Sequence, residues 1–281
     1  MKKSFILLTG LLVLSLCTGL LLAGCTAESP DKVKVITSTS IIAHIVERVG
    51  GDMVSVANII PPAQCPGHFD VKPGDIQKLA DAQLFIMHNW QGEKFSDDLI
   101  TSANNENLTT VKIELAGNWM TPSVQREAAD IIAAALAQGN PQGSTAYKNA
   151  AAEYKAQVTA KESEIKARLD QINFGSISVL CDEQQAGFIK WAGFNIASTY
   201  GRPDTFTPQV VKDLVDKGRT DNVTLIIDNM QTGGEPGKSL AEELNVKHIV
   251  LSNFPNGYEN TGTWERAVDK NIELIMESIS N

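Results

Sequence analysis

Residues 144–172, STAYKNAAAEYKAQVTAKESEIKARLDQI, contain no Gly and no Pro. Ala, Lys, Glu and Gln dominate, and these residues lose little on entering a helix. Tyr147, Ala151, Tyr154, Val158, Ile165, Leu169 and Ile172 recur at helical spacing, giving one apolar stripe on an otherwise polar rod. At 1.5 Å per residue such a helix extends roughly 40 Å, enough to run along two domains. The stripe is short and Ala-rich, which weighs against a dimerising coiled coil. A rigid rod of this kind predicts small, stiff movements of whatever it joins.

On both sides of the rod, strands alternate with helices. Before it, β-branched runs at 33–37, 53–60, 83–87 and 109–115 are interleaved with helical spacing at 41–49, 73–82 and 123–138, with Ser123 as the expected N-cap of the last. After it, strands are expected at 176–180, 223–228 and 248–251, and helices at 183–192, 208–217, 238–244 and 264–279. Alternation of this kind implies mainly parallel sheets covered by helices. The fold class is α/β with two lobes, one at 33–142 and one at 174–281, joined by a backbone helix at 143–173.

The N-terminus carries Lys2 and Lys3, an apolar run from Phe5 to Leu22, and then Leu22-Ala23-Gly24-Cys25. The basic start and apolar stretch read as a secretory signal peptide. Small residues followed by Cys read as a lipobox, with cleavage after residue 24 and lipid on Cys25. Residues 25–32 then form a lipidated tether, and the protein is expected outside the cytoplasm, anchored to the membrane. Cleavage removes two lysines and no acids, leaving a charge two units more negative than the −9 of the full chain. An acidic surface argues against nucleic acid as a partner. No Gly-x-Ser-x-Gly, His-Glu-x-x-His or phosphate-binding Gly-rich loop is present, so enzyme chemistry has no motif to rest on.

In open α/β sheets, ligands bind beyond the carboxyl ends of the strands. Those ends carry Cys65 and His68 after the second strand, His88-Asn89-Trp90 after the third, Cys181-Asp182-Glu183 in the second half, and Ser252-Asn253 after the last. Cys65, His68 and Cys181, completed by His88 or Asp182, form a candidate thiolate and imidazole set suited to Zn²⁺ or a softer ion. Trp90, Asn118, Trp119 and Asn253 are candidates to line the cleft. Each has a plainer use. Cys65 and Cys181 could pair as a disulfide outside the cytoplasm. His68 could be a solvated loop residue, His88 could hydrogen-bond in a turn, and Asp182 and Glu183 could complement a helix dipole. His44 and His248 read as structural.

These stretches resemble the cluster A-I solute-binding proteins, the zinc- and manganese-binding lipoproteins of ABC importers. The resemblance covers essentially the whole mature chain. It rests on Ser38-Thr39-Ser40 before a helix, Gly51-Asp52, Cys65-Pro66-Gly67-His68-Phe69-Asp70, Pro73-Gly74-Asp75, the long helix after Asn140-Pro141, and Lys270-Asn271-Ile272. It implies a bilobed fold, a metal ion as transported ligand, and a permease with its ATPase as membrane partners, the chain itself being a monomer. The family's four ligands do not transfer as a set. Gly67 takes the place of its first His, Gly117 of its second, Cys181 or Asp182 of the third ligand, and Asn253 of its Asp. Two readings follow: a metal ion, Zn²⁺ above all, held by the rearranged sulfur and nitrogen set, or the same fold binding a metal chelate or small organic solute.

Replacing Cys25 by Ser is expected to abolish lipidation. Fractionation of the expressing cells, with labelled fatty acid, should then find the variant unlabelled, whereas the parent chain carries label in the membrane fraction.

Overall fold

The computed structural model describes residues 32–90, 95–233 and 235–280. The leader and Cys25 lie outside these residues. The order in the first lobe is β1 (Val33–Thr37), α1 (Ser40–Gly50), β2 (Val54–Asn58), α2 (Pro73–Ala80), β3 (Leu84–His88), α3 (Phe95–Ala103), β4 (Thr109–Ile113) and α4 (Pro122–Gly139). The connecting helix α5 (Ser144–Leu169) follows. The second lobe runs β5 (Ser178–Asp182), α6 (Ala186–Ala192), β6 (Asn195–Tyr200), α7 (Pro208–Thr220), β7 (Leu225–Asn229), α8 (Gly237–Leu244), β8 (Lys247–Leu251) and α9 (Trp264–Ile279).

Each lobe holds a four-stranded parallel sheet, ordered β2-β1-β3-β4 and β6-β5-β7-β8. In both, the first strand is flanked by the next two in sequence, so the chain reverses its direction of winding beside that strand. All eight carboxyl ends feed loops, and the reversal opens a crevice between two of them. Alternate residues of the central strands face opposite layers. Val35 and Ile86, with Val179 and Ile227, enter one large core built with α1, α4, α5 and α9. Ile36 and Phe85 point the other way, under α2 and α3. Leu180 and Ile226 do the same under α7 and α8. The large core is continuous between the lobes, so neither sheet is covered by its own lobe alone.

The α5 stripe packs into that core. Tyr147, Ala151, Tyr154, Val158, Ile165 and Leu169 are all buried; Ile172, beyond the helix end, is only partly so. The polar face is tied to α4 by Lys155 to Asp130 at 2.6 Å and by Arg126 to Glu162 at 2.7 Å. Within α5, Lys166 reaches Glu162 one turn away at 2.9 Å, a pairing that adds a few tenths of a kcal/mol, about 0.2–0.5. The stripe is spent on the intramolecular core.

The structure departs from the sequence reading at several boundaries. Helix α4 begins at Pro122, not after Ser123. Pro at the first helical position presets φ and has no N–H to leave unpaired, and the Thr121 hydroxyl donates to the Asn118 carbonyl at 2.7 Å. Strand β5 runs two residues later than expected, through Cys181 and Asp182, because residues 174–176 form a 3-10 turn. Strand β6 and helix α3 were not foreseen. β6 is an edge strand of mostly polar residues, NIASTY, whose register against β5 shifts between Val179 and Leu180.

Trp264 joins the lobes. It opens α9, is fully buried in the shared core, and donates its indole N–H to the Met120 carbonyl of the first lobe at 2.9 Å. Ser40 of the first lobe donates to the Pro255 carbonyl of the second at 2.7 Å. Trp264→Ala is expected to cost about 3–5 kcal/mol. Trp264→Phe, which keeps most of the packing and forfeits the hydrogen bond, should cost less, about 1–3 kcal/mol. Urea denaturation followed by far-UV circular dichroism measures both, and the shared core predicts one cooperative transition in each.

Candidate functional site

Between the lobes lies a cleft of about 260 Å³. Seven of the eight strands send a residue into it from their carboxyl ends or from the loops that follow. The loop after β2 brings Cys65, Pro66 and Gly67; β3 is followed by Trp90; the loop after β4 brings Gly117, Asn118 and Trp119. From the second lobe, β5 is followed by Gln184, β6 by Arg202, β7 by Gln231 and Thr232, and β8 by Asn253 and Phe254, while Asn229 ends β7 itself. No carboxylate and no imidazole lines this cleft among the described residues.

A lattice of amides closes its floor across the lobes. Asn118 Nδ2 donates to the Gln184 carbonyl at 2.8 Å and to Asn253 Oδ1 at 2.8 Å. Asn253 Nδ2 donates to the same Gln184 carbonyl at 3.1 Å. The Asn118 Oδ1 accepts from the Met120 N–H at 2.8 Å, which fixes the amide's orientation. Gln231 donates to the Pro62 carbonyl of the first lobe at 2.8 Å and to Ser252 Oγ at 3.0 Å, and accepts from the Asn253 N–H at 2.9 Å. Gly187, at the start of α6, makes the approach possible: a Cβ there would lie 2.9 Å from the Asn118 Cβ.

One wall is aromatic. Trp90 stacks on His88 with ring centroids 3.5 Å apart and planes within 4°, and Trp119 meets the same imidazole edge-on at 4.4 Å. His88 is buried behind the two indoles. Thr39 Oγ1 lies 2.9 Å from its Nε2, and its Nδ1 has no partner. Burial holds its pKa well below the ordinary imidazole value, so the ring stays neutral and can stack without carrying a charge into the core. His88 therefore backs the aromatic wall and does not face the cleft.

The expected metal set is not assembled. Among the described residues no three His, Cys, Asp or Glu side chains gather in a way that could hold an ion. Cys181 is fully buried on the middle strand of its sheet, on the core side with Val179 and Ile227. Burial, reinforced by the neighbouring Asp182, pushes its thiol up to about 12, so it is a thiol and not a thiolate. His68 is exposed on a 3-10 turn and accepts a hydrogen bond from Arg202 Nη1 at 3.4 Å. Cys65 and Cys181 are both free, so no disulfide joins them. Cys65 alone of the five reaches the cleft. The two-residue extension of β5 is the physical reason for the difference, since it draws Cys181 and Asp182 into the sheet and leaves Gln184 at its mouth. Trp90, Asn118, Trp119 and Asn253 all line the cleft.

Arg202, Gln184, Asn229, Gln231 and Thr232 were not foreseen. Arg202 follows the unforeseen edge strand β6, and Gln231 and Thr232 lie in a turn legible only as a turn. The strand-end rule would have found each, given the correct strands. Gly67, where the resembled family has a His, is what admits Arg202: a Cβ at this position would fall 2.8 Å from Arg202 Nη2.

Asp182 is buried beneath the cleft. Its Oδ1 accepts from the Gln184 N–H at 2.7 Å, and its Oδ2 has no hydrogen bond of good geometry. Burial raises its pKa to about 6, against the lowering effect of the Gln184 N–H and the Thr232 hydroxyl; Asp228 and Glu183 add to the rise. A carboxyl raised in the folded state costs nothing where both states are protonated. The cost grows as pH rises from about 4 and is complete above about 6. Asp182→Asn keeps the acceptor for Gln184 and removes the charge. It is expected to match the parent near pH 4 and to exceed its stability by about 1–3 kcal/mol at pH 8. Melting curves across this range measure the difference, and a pH-independent offset would exclude the buried charge as its cause.

The comparisons with known proteins fit this architecture. The metal ABC transporter substrate-binding lipoprotein SsaB of Streptococcus sanguinis is 24% identical over 301 residues, covering 96% of this chain and 97% of its own. The manganese ABC transporter substrate-binding lipoprotein PsaA of Streptococcus pneumoniae is 22% identical over 288 residues, covering 90% and 91%. These relatives are substrate-binding proteins and not enzymes. The solute-binding protein FpvC of Pseudomonas aeruginosa, solved in complex with Mn²⁺, superposes with a TM-score of 0.76 at 17% identity, covering 89% of this chain and 98% of that one. The family model described as zinc-uptake complex component A, periplasmic, matches residues 35–278, and this chain belongs to that family.

Proposed function

We propose that this protein is the extracytoplasmic solute-binding lipoprotein of an ABC importer, and that it captures a metal in complexed form and delivers it to a membrane permease and its ATPase. The importer role is supported by the family and by relatives named as metal ABC transporter substrate-binding lipoproteins. The form of the cargo is supported by one observation above the others. Among the described residues, the inter-lobe cleft is lined by amides, two indoles, a guanidinium and a single thiol, with no imidazole or carboxylate. A bare Zn²⁺ needs about four protein ligands of the Cys, His or carboxylate kind, and Mn²⁺ needs hard oxygen donors. One free thiol, Cys65, can complete the coordination of a metal that arrives with its other ligands already in place.

Such a cargo fits the remainder of the cleft. Flat apolar area from Trp90 and Trp119 suits the organic part of a small complex. The amide lattice presents a floor already bonded across both lobes, so little ordering remains when solute enters. The lobes sit on one stiff helix and one shared core, and capture proceeds by filling a nearly formed cleft.

Isothermal titration of the purified protein with Zn²⁺ and Mn²⁺, alone and with small chelators, tests the reading. Free ions are expected to bind weakly and to be lost on dialysis, while the chelated metal binds more tightly. Cys65→Ser should weaken retention of the chelated metal. One equivalent of free Zn²⁺ or Mn²⁺ retained through dialysis would sink the proposal.

A further inference from the structure

Among the described residues, the cleft lining holds one guanidinium and no carboxylate. Its amides are largely committed to one another. Asn118 and Asn253 converge on the Gln184 carbonyl, Gln231 is used at both ends, and Asn229 accepts from Gln185 at 3.0 Å and donates to Thr232 Oγ1 at 3.0 Å. One charged group is not so committed. Arg202 reaches into the cleft with a guanidinium whose side-chain partner is His68 Nε2 at 3.4 Å. An arginine carries five N–H donors in a planar fork, and one long hydrogen bond to an imidazole leaves that fork largely open.

Among the described residues no carboxylate lines the cleft beside this guanidinium, although the chain as a whole carries a formal charge of −9. A positive group inside a half-enclosed cleft focuses its field on whatever enters. The local backbone is fitted to it, because Gly67 leaves the space the guanidinium occupies. A planar fork matches the oxygens of a carboxylate, which accepts two parallel hydrogen bonds.

We propose that the cleft selects a metal complex whose organic ligand carries free carboxylate oxygens and a net negative charge, with Arg202 as the residue that determines this specificity. The inference rests on the reading of the cargo as a complexed metal and names the chemistry of the complex. Arg202 supplies the counter-charge and paired donors, and Trp90 an apolar face for the carbon skeleton.

The test titrates the purified lipoprotein with Zn²⁺–citrate and Zn²⁺–nitrilotriacetate, both anionic, with the neutral bis-histidine complex of Zn²⁺, and with free Zn²⁺. Arg202→Gln and Gly67→Ala are titrated in parallel. Thermal melting checks that both variants are folded. An anionic complex is expected to bind about tenfold or more tighter than the neutral one, and Arg202→Gln to remove about tenfold to a hundredfold of that affinity without weakening the neutral complex. Gly67→Ala keeps the arginine but forces its guanidinium aside, and should repeat the loss in part. Equal affinity for anionic and neutral complexes, indifference of the anionic ones to Arg202→Gln, or no binding of any anionic probe at millimolar concentration overturns the proposed charge selection. A neutral complex that still binds in those cases leaves the complexed-metal reading standing. Tight binding of free Zn²⁺, with no gain from any chelator, overturns that underlying reading instead.

Discussion

The side chain of Asn118 is the point at which the two lobes become one site. Its amide is held on one side by the Met120 N–H and spends its own N–H groups on the Gln184 carbonyl and Asn253 of the other lobe. A half-buried amide with such partners has nowhere better to send them, and any separation of the lobes would return several polar groups to water at once. The close approach depends on the missing side chain of Gly187. With the lobes fixed here, the loops that follow the strands face one another at a set distance, and the cleft has a defined width and a defined floor.

That geometry redistributes the roles of the candidate residues. The thiol and carboxyl of Cys181 and Asp182 are drawn into the sheet, where burial keeps protons on the first and favours them on the second. His88 is enclosed between indoles. Positions 67 and 117, where the resembled family carries imidazoles, are glycines, and the guanidinium of Arg202 lies against the first. In the places where the resemblance led one to expect ion ligands, the described cleft presents amides, indoles and a guanidinium.

Much of the fold was legible because its signals are local. The stripe from Tyr147 to Leu169 repeats at helical spacing, and β1, β3 and β7 stand out as short, mainly apolar runs bounded by polar residues; such patterns survive in a single sequence. Strand β6 escaped because an edge strand need bury only one face, and Asn195, Ser198 and Thr199 leave no apolar run. The site was legible in part. Trp90 and Asn253 follow strands whose ends were read well enough, whereas Gln231 and Thr232 lie in a turn that gave no chemical signal although β7 itself was foreseen. Arg202 was lost with β6, and a slip of two residues in β5 exchanged Gln184 for Cys181 and Asp182. Chemistry at a cleft mouth is decided by register to a single residue, and alternation fixes register less sharply than it fixes the existence of a strand.

The position of α9 bears on how the protein comes into being. Trp264 reaches under the first lobe, and Glu265 beside it lies 3.6 Å from His44 and 3.8 Å from Arg48 on α1. The apolar face that α1 and α4 present is therefore not sealed until α9 has been synthesised. A nascent chain of this design cannot reach its finished state from the amino-terminal half alone. The packing of the first lobe thus depends on a helix encoded more than a hundred residues further along the sequence.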